Sequence, residues 1–159
     1  MPETVPCLWF DDHAEEAARH YTSIFPNSGI GTVTRYGPGM PGPEGSVMTV
    51  DFTLDGRPYT ALNGGPHFTF SEAVSFQILC ADQAEVDHYW DRLTEGGEES
   101  MCGWLKDRFG VSWQVVPTGW MQLLVDGDPE RVRRATAALM TMKKIDIAAI
   151  DRAADGATA

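Results

Sequence analysis

Twice along this chain an apolar, strand-like run leads straight into an acid-capped, one-sided helix, and that repeated order constrains the fold more than any other feature. In the first half Val5 to Phe10 reads as a strand, and Asp12 then stands where a helix cap belongs, with Glu15 three residues on as in a capping box. Ala14, Ala17, Ala18, Tyr21, Ile24 and Phe25 recur at helical spacing on one face, and Pro26 ends the run. In the second half Val74 to Cys80 is the strand, Asp82 with Glu85 repeats the cap, and Val86, Tyr89, Trp90 and Leu93 form the buried stripe. After the first helix come three further strand-like runs, Gly31 to Tyr36, Ser46 to Leu54 and Pro58 to Asn63, with Asp55-Gly56 as a hairpin turn between the last two. After the second helix, Gly103 to Leu105 and Val111 to Val116 fill comparable places. The expectation is an α+β chain of two βαβββ modules, about 1–66 and 72–117, forming one domain overall.

The stretch from Cys102 to Pro117 reads as strand, polar turn and strand, with Trp104 and Trp113 on either side of Lys106, Asp107 and Arg108. Within its second strand Ser112 and Gln114 alternate with Val111, Trp113 and Val115, so one face is apolar and the other polar. Gln114 there needs a hydrogen-bonding partner, from the protein or from a ligand. Gly37 to Gly45 is rich in glycine and proline and is read as a loop, either a lid or a contact arm. Beyond Pro117 a helical extension is expected over 118–155. It begins with the apolar Trp120 to Val125, continues after Asp128-Pro129-Glu130 with Val132, Ala135, Leu139 and Met142, and closes with an amphipathic Ile145 to Ala153. The tail DGATA is expected to fray.

Net charge is -11, and Lys and Arg are scattered apart from Arg131, Arg133, Arg134, Lys143 and Lys144. Nucleic acid and anionic membranes are therefore poor partners. Mean hydropathy is -0.23, and no apolar run approaches the roughly 18 residues that cross a bilayer. No secretory signal is visible, so a cytoplasmic protein is expected. Cys7, Cys80 and Cys102 are odd in number and widely spaced, which suits reduced thiols better than a disulfide frame or a zinc site.

The duplicated βαβββ order resembles the glyoxalase, bleomycin-resistance and extradiol dioxygenase group, the vicinal oxygen chelate superfamily. Within it, LWFDDHAEEAARHYTSIFPNS, FTLDGRPYTALNGGPHFTFSEAVSFQILCADQAEVDHYW, CGWLKDRFGVSWQVVP and MKKIDIAAI resemble the PhnB-like branch, whose members often carry the name 3-demethylubiquinone-9 3-methyltransferase. The resemblance implies metal ligands on the first strand of each half and a glutamate on the last strand in a D-x-x-G-x-x-x-E pattern. Those places fall near Val5, near Ser75 and, after Asp107 and Gly110, at Gln114. Valine, serine and glutamine lack the imidazole, carboxylate or thiolate donors of a catalytic divalent site, so no metal and no cofactor is expected. His13, His20 and His88 lie on helices, and only His67, after the Asn63-Gly64-Gly65-Pro66 turn, stands near a cavity mouth. For the methyl transfer in the name there is no sequence support, because the glycine-rich GIGTVTRYGPG precedes no helix.

If the strands curl around a cleft, residues two apart share its lining. That rule selects Cys7 and Trp9, Thr49 and Asp51, Ala61 and Asn63, Ser75 and Gln77, and Ser112 and Gln114, with Trp104 alongside. The first expectation is a metal-independent protein that binds a small, partly aromatic molecule, paired as a homodimer. The second is an enzyme of the same fold (isomerase, lyase or dioxygenase-like) with Asp51 or His67 as base. A third is a metal site completed by residues of a dimer mate.

Overall fold

The computed structural model describes residues 1–156; the last part of the tail, 157–159, lies outside the described residues. The chain divides into two compact units, one from Met1 to Phe70 and one from Ser71 onward.

In the first unit the order is β1 (Cys7–Phe10), α1 (Ala14–Ile24), β2 (Gly29–Arg35), β3 (Val47–Leu54) and β4 (Arg57–Asn63). The strands form one sheet in the order β1-β4-β3-β2, with β1 parallel to β4 and the other pairs antiparallel. One face is covered: Leu8, Phe10, Val50, Phe52, Leu54 and Ala61 are buried with the α1 stripe of Ala14, Ala17, Ala18, Tyr21 and Ile24. Each large side chain so buried contributes about 1.5–3 kcal/mol of transfer free energy, which fixes the phase of every strand on this face. The turn at Asp55-Gly56 forms where expected, with both residues at positive φ, 48° and 74°.

The cap of α1 differs from expectation. The N-cap is His13, and its side chain makes no capping bond. Instead Asn63, at the end of β4, accepts from the Ala14 N–H through Oδ1 at 2.8 Å and donates through Nδ2 to the Val47 carbonyl at 3.1 Å. One amide ties the helix start to the sheet, supplying from far away in sequence what Asp12 does not.

The second unit repeats the plan. It runs β5 (Phe76–Cys80), α2 (Gln83–Thr94), β6 (Glu98–Glu99), β7 (Trp104–Lys106) and β8 (Ser112–Pro117), then α3 (Thr118–Asp126), α4 (Pro129–Leu139) and α5 (Ile147–Ala154). Its sheet order, β5-β8-β7-β6 with β5 parallel to β8, is the same topology as that of the first unit. The α2 cap is the expected one: Asp82 Oδ1 accepts from Glu85 N at 3.0 Å, and the Glu85 carboxylate reaches back to Ala81 N at 2.7 Å. Ile78, Cys80, Val86, Trp90, Leu93, Leu105, Trp113 and Val115 make the core between α2 and the sheet.

The extension is helical and has its own core of Ala135, Leu139, Ile145, Ile150 and Ala154, against which Cys102, Trp120, Leu123 and Met142 pack. It is joined to the sheet through the turn before β7, where Cys102 N and Gly103 N donate to the carbonyls of Met142 and Lys143, both at 2.8 Å. Gln83 also anchors it, donating to Ile145 O at 3.0 Å and accepting from Ile147 N at 2.9 Å. Among the described residues no helix is long and apolar enough to cross a membrane.

Candidate ligand-binding faces

Each sheet has one face covered by a helix and one face turned away from it, and the register says which residues stand on the second. In the second unit Gln77 lies opposite Gln114 and Gln114 opposite Trp104, while Lys106 lies opposite Ser112. These residues alternate with the buried Ile78, Trp113, Val115 and Leu105, so period two puts them on the uncovered face. Gln114 is at the centre: its Nε2 donates to Ser75 Oγ at 2.7 Å, and its Oε1 accepts from Gln77 Nε2 at 3.3 Å. Ser75, Gln77, Trp104, Ser112 and Gln114, selected from sequence, therefore share one face. The row carries neutral donors and acceptors beside an indole and suits contact with a flat group that can hydrogen-bond.

The corresponding row in the first unit is Cys7, Thr60 and Asp51. Thr60 Oγ1 donates to Asp51 Oδ1 at 2.9 Å, and the hydroxyls of Thr34 and Thr49 are 2.6 Å apart. A groove of about 510 Å³ runs here, with Val5, Gly31, Asp51, Pro58, Tyr59 and Thr60 in its lining. Burial pushes the Tyr59 phenol up, the nearby Arg57 opposing it. Trp9 stands on the same face as Cys7; its indole donates to Gly65 O at 2.9 Å, and its ring meets Phe68 edge-on at 5.0 Å. Gly64 permits this, since a Cβ there would come within 2.2 Å of the Trp9 ring.

Two selected residues are misplaced by the two-apart rule. Ala61 pairs with Leu8 and Val50, and Asn63 with Phe10, so both lie on the helix side, and Thr60 and Leu62 occupy the face assigned to them. Asn63 spends its amide on α1 and β3 and is an anchor of the fold. His67 is exposed beyond the Gly64-Gly65 turn and does not line the Asp51 groove. Sequence reasoning missed Thr60, whose hydroxyl occupies Asp51, and the Lys106–Glu72 ion pair at 2.6 Å. A threonine two residues after Pro58 in an apolar run was the available signal for the first.

The metal ligands implied by the family resemblance do not fit these residues. Val5 has no donor, and the Gln114 amide is engaged at both ends by Ser75 and Gln77. Among the described residues no three of His, Cys, Asp and Glu come together as a metal-holding group.

All three cysteines are free, Cys7 exposed, Cys80 buried and Cys102 between. Burial raises the Cys7 thiol. Burial, then the Glu85 and Asp82 charges, push the Cys80 thiol from 9.0 up to about 12. The thiolate fraction at pH 8 is thus cut roughly a thousandfold, and Cys80 should resist iodoacetamide in the folded protein while labelling fully in urea. The folded pKa lies above the unfolded one, so this contribution to stability is complete below pH 9 and is lost as pH rises toward 12. Labelling of Cys80 in the native protein at the rate of a free thiol would refute it.

Each unit is a βαβββ module with sheet order 1-4-3-2, polar on its uncovered face, which is the α+β fold expected from the resemblance to the glyoxalase and bleomycin-resistance group. The family model described as 3-demethylubiquinone-9 3-methyltransferase matches residues 2–116, and the chain belongs to that family. A PhnB protein from Bacillus cereus bearing the family's name is 34% identical over 73% of this chain and 99% of its own, with a TM-score of 0.67. Protein PA1353 from Pseudomonas aeruginosa is 22% identical over 74% of this chain and 98% of its own, with a TM-score of 0.61. No curated protein matches. The helices α3 to α5 lie beyond the region that the family model covers.

Proposed function

We propose that this protein is a metal-independent binder of a small, partly aromatic molecule, acting as a homodimer in the cytoplasm. The observation that carries the reading is the row of Ser75, Gln114 and Gln77 beside Trp104. It is a hydrogen-bonding surface on an otherwise apolar strand, oriented by its own contacts and turned away from the helix. Such a surface fixes the orientation of a flat ligand while the indole supplies contact area. Metal independence is supported by the donor chemistry of Val5, Ser75 and Gln114. Pairing is supported by α3, an apolar helix without a fully buried residue, on which Leu124 and Val125 are 46% and 78% exposed. The free cysteines and the strong negative charge suit a reducing compartment without nucleic-acid or membrane partners. The family name is not carried over as methyl transfer, because the glycine-rich segment forms β2 and the start of the loop after it and opens no helix.

The test is elemental analysis of protein purified without chelator, followed by thermal shift against small aromatic metabolites. A ligand at a hundredfold excess over its Kd should raise Tm by about 5 °C in the wild type, and Gln114→Leu should abolish the rise. Stoichiometric divalent metal, or a rise indifferent to Gln114→Leu, would overturn the reading.

A further inference from the structure

Next to the glutamine row the second unit holds a smaller cavity of about 170 Å³, lined by Glu72, Glu98, Glu99, Trp104, Lys106 and Ser112 among others. Ser112 is 1% exposed, and its Oγ has no hydrogen-bond partner among the described residues. Native proteins seldom leave a buried hydroxyl so, and an absent ligand is one cause.

The charges around it have a definite sign. Lys106 lies opposite Ser112 in the β7–β8 pairing and opposite Glu98 in the β6–β7 pairing, with its ammonium 2.6 Å from Glu72. This contact holds the Lys106 ammonium above and the Glu72 carboxyl below their ordinary ranges, so both stay charged near neutrality. Glu99 is engaged by the Trp90 indole at 3.2 Å and by Lys143 at 3.3 Å. Glu98, opposite Lys106, adds to the field that holds that ammonium but makes no direct ion pair among the described residues. Three carboxylates thus line the cavity with one ammonium, already held by Glu72, and an entering anion would meet Glu98 and Glu99.

We propose that this cavity receives the protonated amino group of the bound molecule, with Glu98 as its counter-charge and Ser112 Oγ as hydrogen-bond acceptor, the Trp104 indole lying beside it. A cation there is favoured by the carboxylates and by the aromatic ring together. At about 170 Å³ the cavity is large enough for a benzene-sized group, so an ammonium and its neighbouring carbons fit with room to spare, the rest of the ring reaching toward the glutamine row. This inference rests on the reading that the uncovered face of the second unit binds a small molecule, and it narrows that molecule to an arylalkyl amine, with its amino nitrogen on a saturated carbon.

The experiment is NMR titration of the full chain with benzylamine, benzyl alcohol and benzoate, followed at the Trp104 indole N–H, with Glu98→Gln, Ser112→Ala and Gln114→Leu in parallel. Benzylamine should bind about tenfold more tightly than either of the others, and Glu98→Gln should bring the amine to the level of the alcohol. Ser112→Ala should weaken the amine about fivefold. Benzoate or benzyl alcohol binding as well as the amine, still lost in Gln114→Leu, would overturn the amine cavity and leave the binding face standing. An amine preference untouched by Glu98→Gln would also overturn it. No response to any probe at its solubility limit would overturn both.

Discussion

Replacing Asp107 by alanine is expected to destabilise the second unit by about 3–5 kcal/mol, a loss near the upper end for one side chain. The carboxylate is 3% exposed in the turn between β7 and β8. Its Oδ1 accepts from the N–H groups of Phe109 and Val111 at 2.8 and 3.1 Å, and its Oδ2 accepts from the Trp113 indole at 2.8 Å. Alanine leaves three donors without their acceptor inside the protein, and unmade bonds to a charged group cost more than the bonds themselves contribute. Asp107→Asn should fall between, because it keeps one acceptor but sets a donor or a weaker acceptor against the indole. Urea unfolding followed by far-UV circular dichroism and tryptophan emission would measure both. A loss below about 1 kcal/mol for the alanine variant would show that the turn holds without the carboxylate.

Gly103→Ala should cost about 3–4 kcal/mol and loosen the helical extension from the sheet. Gly103 has φ of 81°, and a Cβ there would stand 2.5 Å from the Val115 carbonyl oxygen and 2.9 Å from Ile145 Cδ1. The backbone cannot retreat, because Gly103 N donates to Lys143 O and Gly103 O accepts from Val115 N, each at 2.8 Å. Gly110 is the control: its φ is 86°, but nothing lies within 4 Å of where a Cβ would be. Its alanine variant should show only the conformational cost, about 1 kcal/mol. Thermal unfolding measures the first effect, and limited proteolysis between Met140 and Asp146 the second. Equal losses for the two variants would mean that contact with Val115 and Ile145 is not what matters.

Much of this was legible in the chain, and the exceptions have a common cause. Period two on β5 and β8 placed Ser75, Gln77, Ser112 and Gln114 together, because Ile78, Trp113 and Val115 mark the opposite face plainly. On β4 the run Tyr59, Thr60, Ala61, Leu62 has no such contrast, so its phase was open and Ala61 and Asn63 were assigned to the wrong side. The α2 cap was local and readable; that of α1 comes from Asn63, which no window around Asp12 contains. Strand β6 is two glutamates with no apolar signal, held by pairing with β7 and by the contacts of Glu99 with Trp90 and Lys143. What pattern missed, in each case, was decided by a partner distant in the sequence.

The parallel pairing of first and last strands bears on how this chain reaches its fold. Among the described residues of each unit, β1 hydrogen-bonds with β4 and β5 with β8, the last strand of the same module. During synthesis the opening strand of each module therefore waits, edges unpaired, until nearly the whole module has followed it. The α1 helix waits too, since its remote cap arrives with Asn63, at the end of β4. Loop closure rises only slowly with length, so the wait weighs on rate far more than on final stability. Each module should thus condense late and abruptly, the first while the second is still being made.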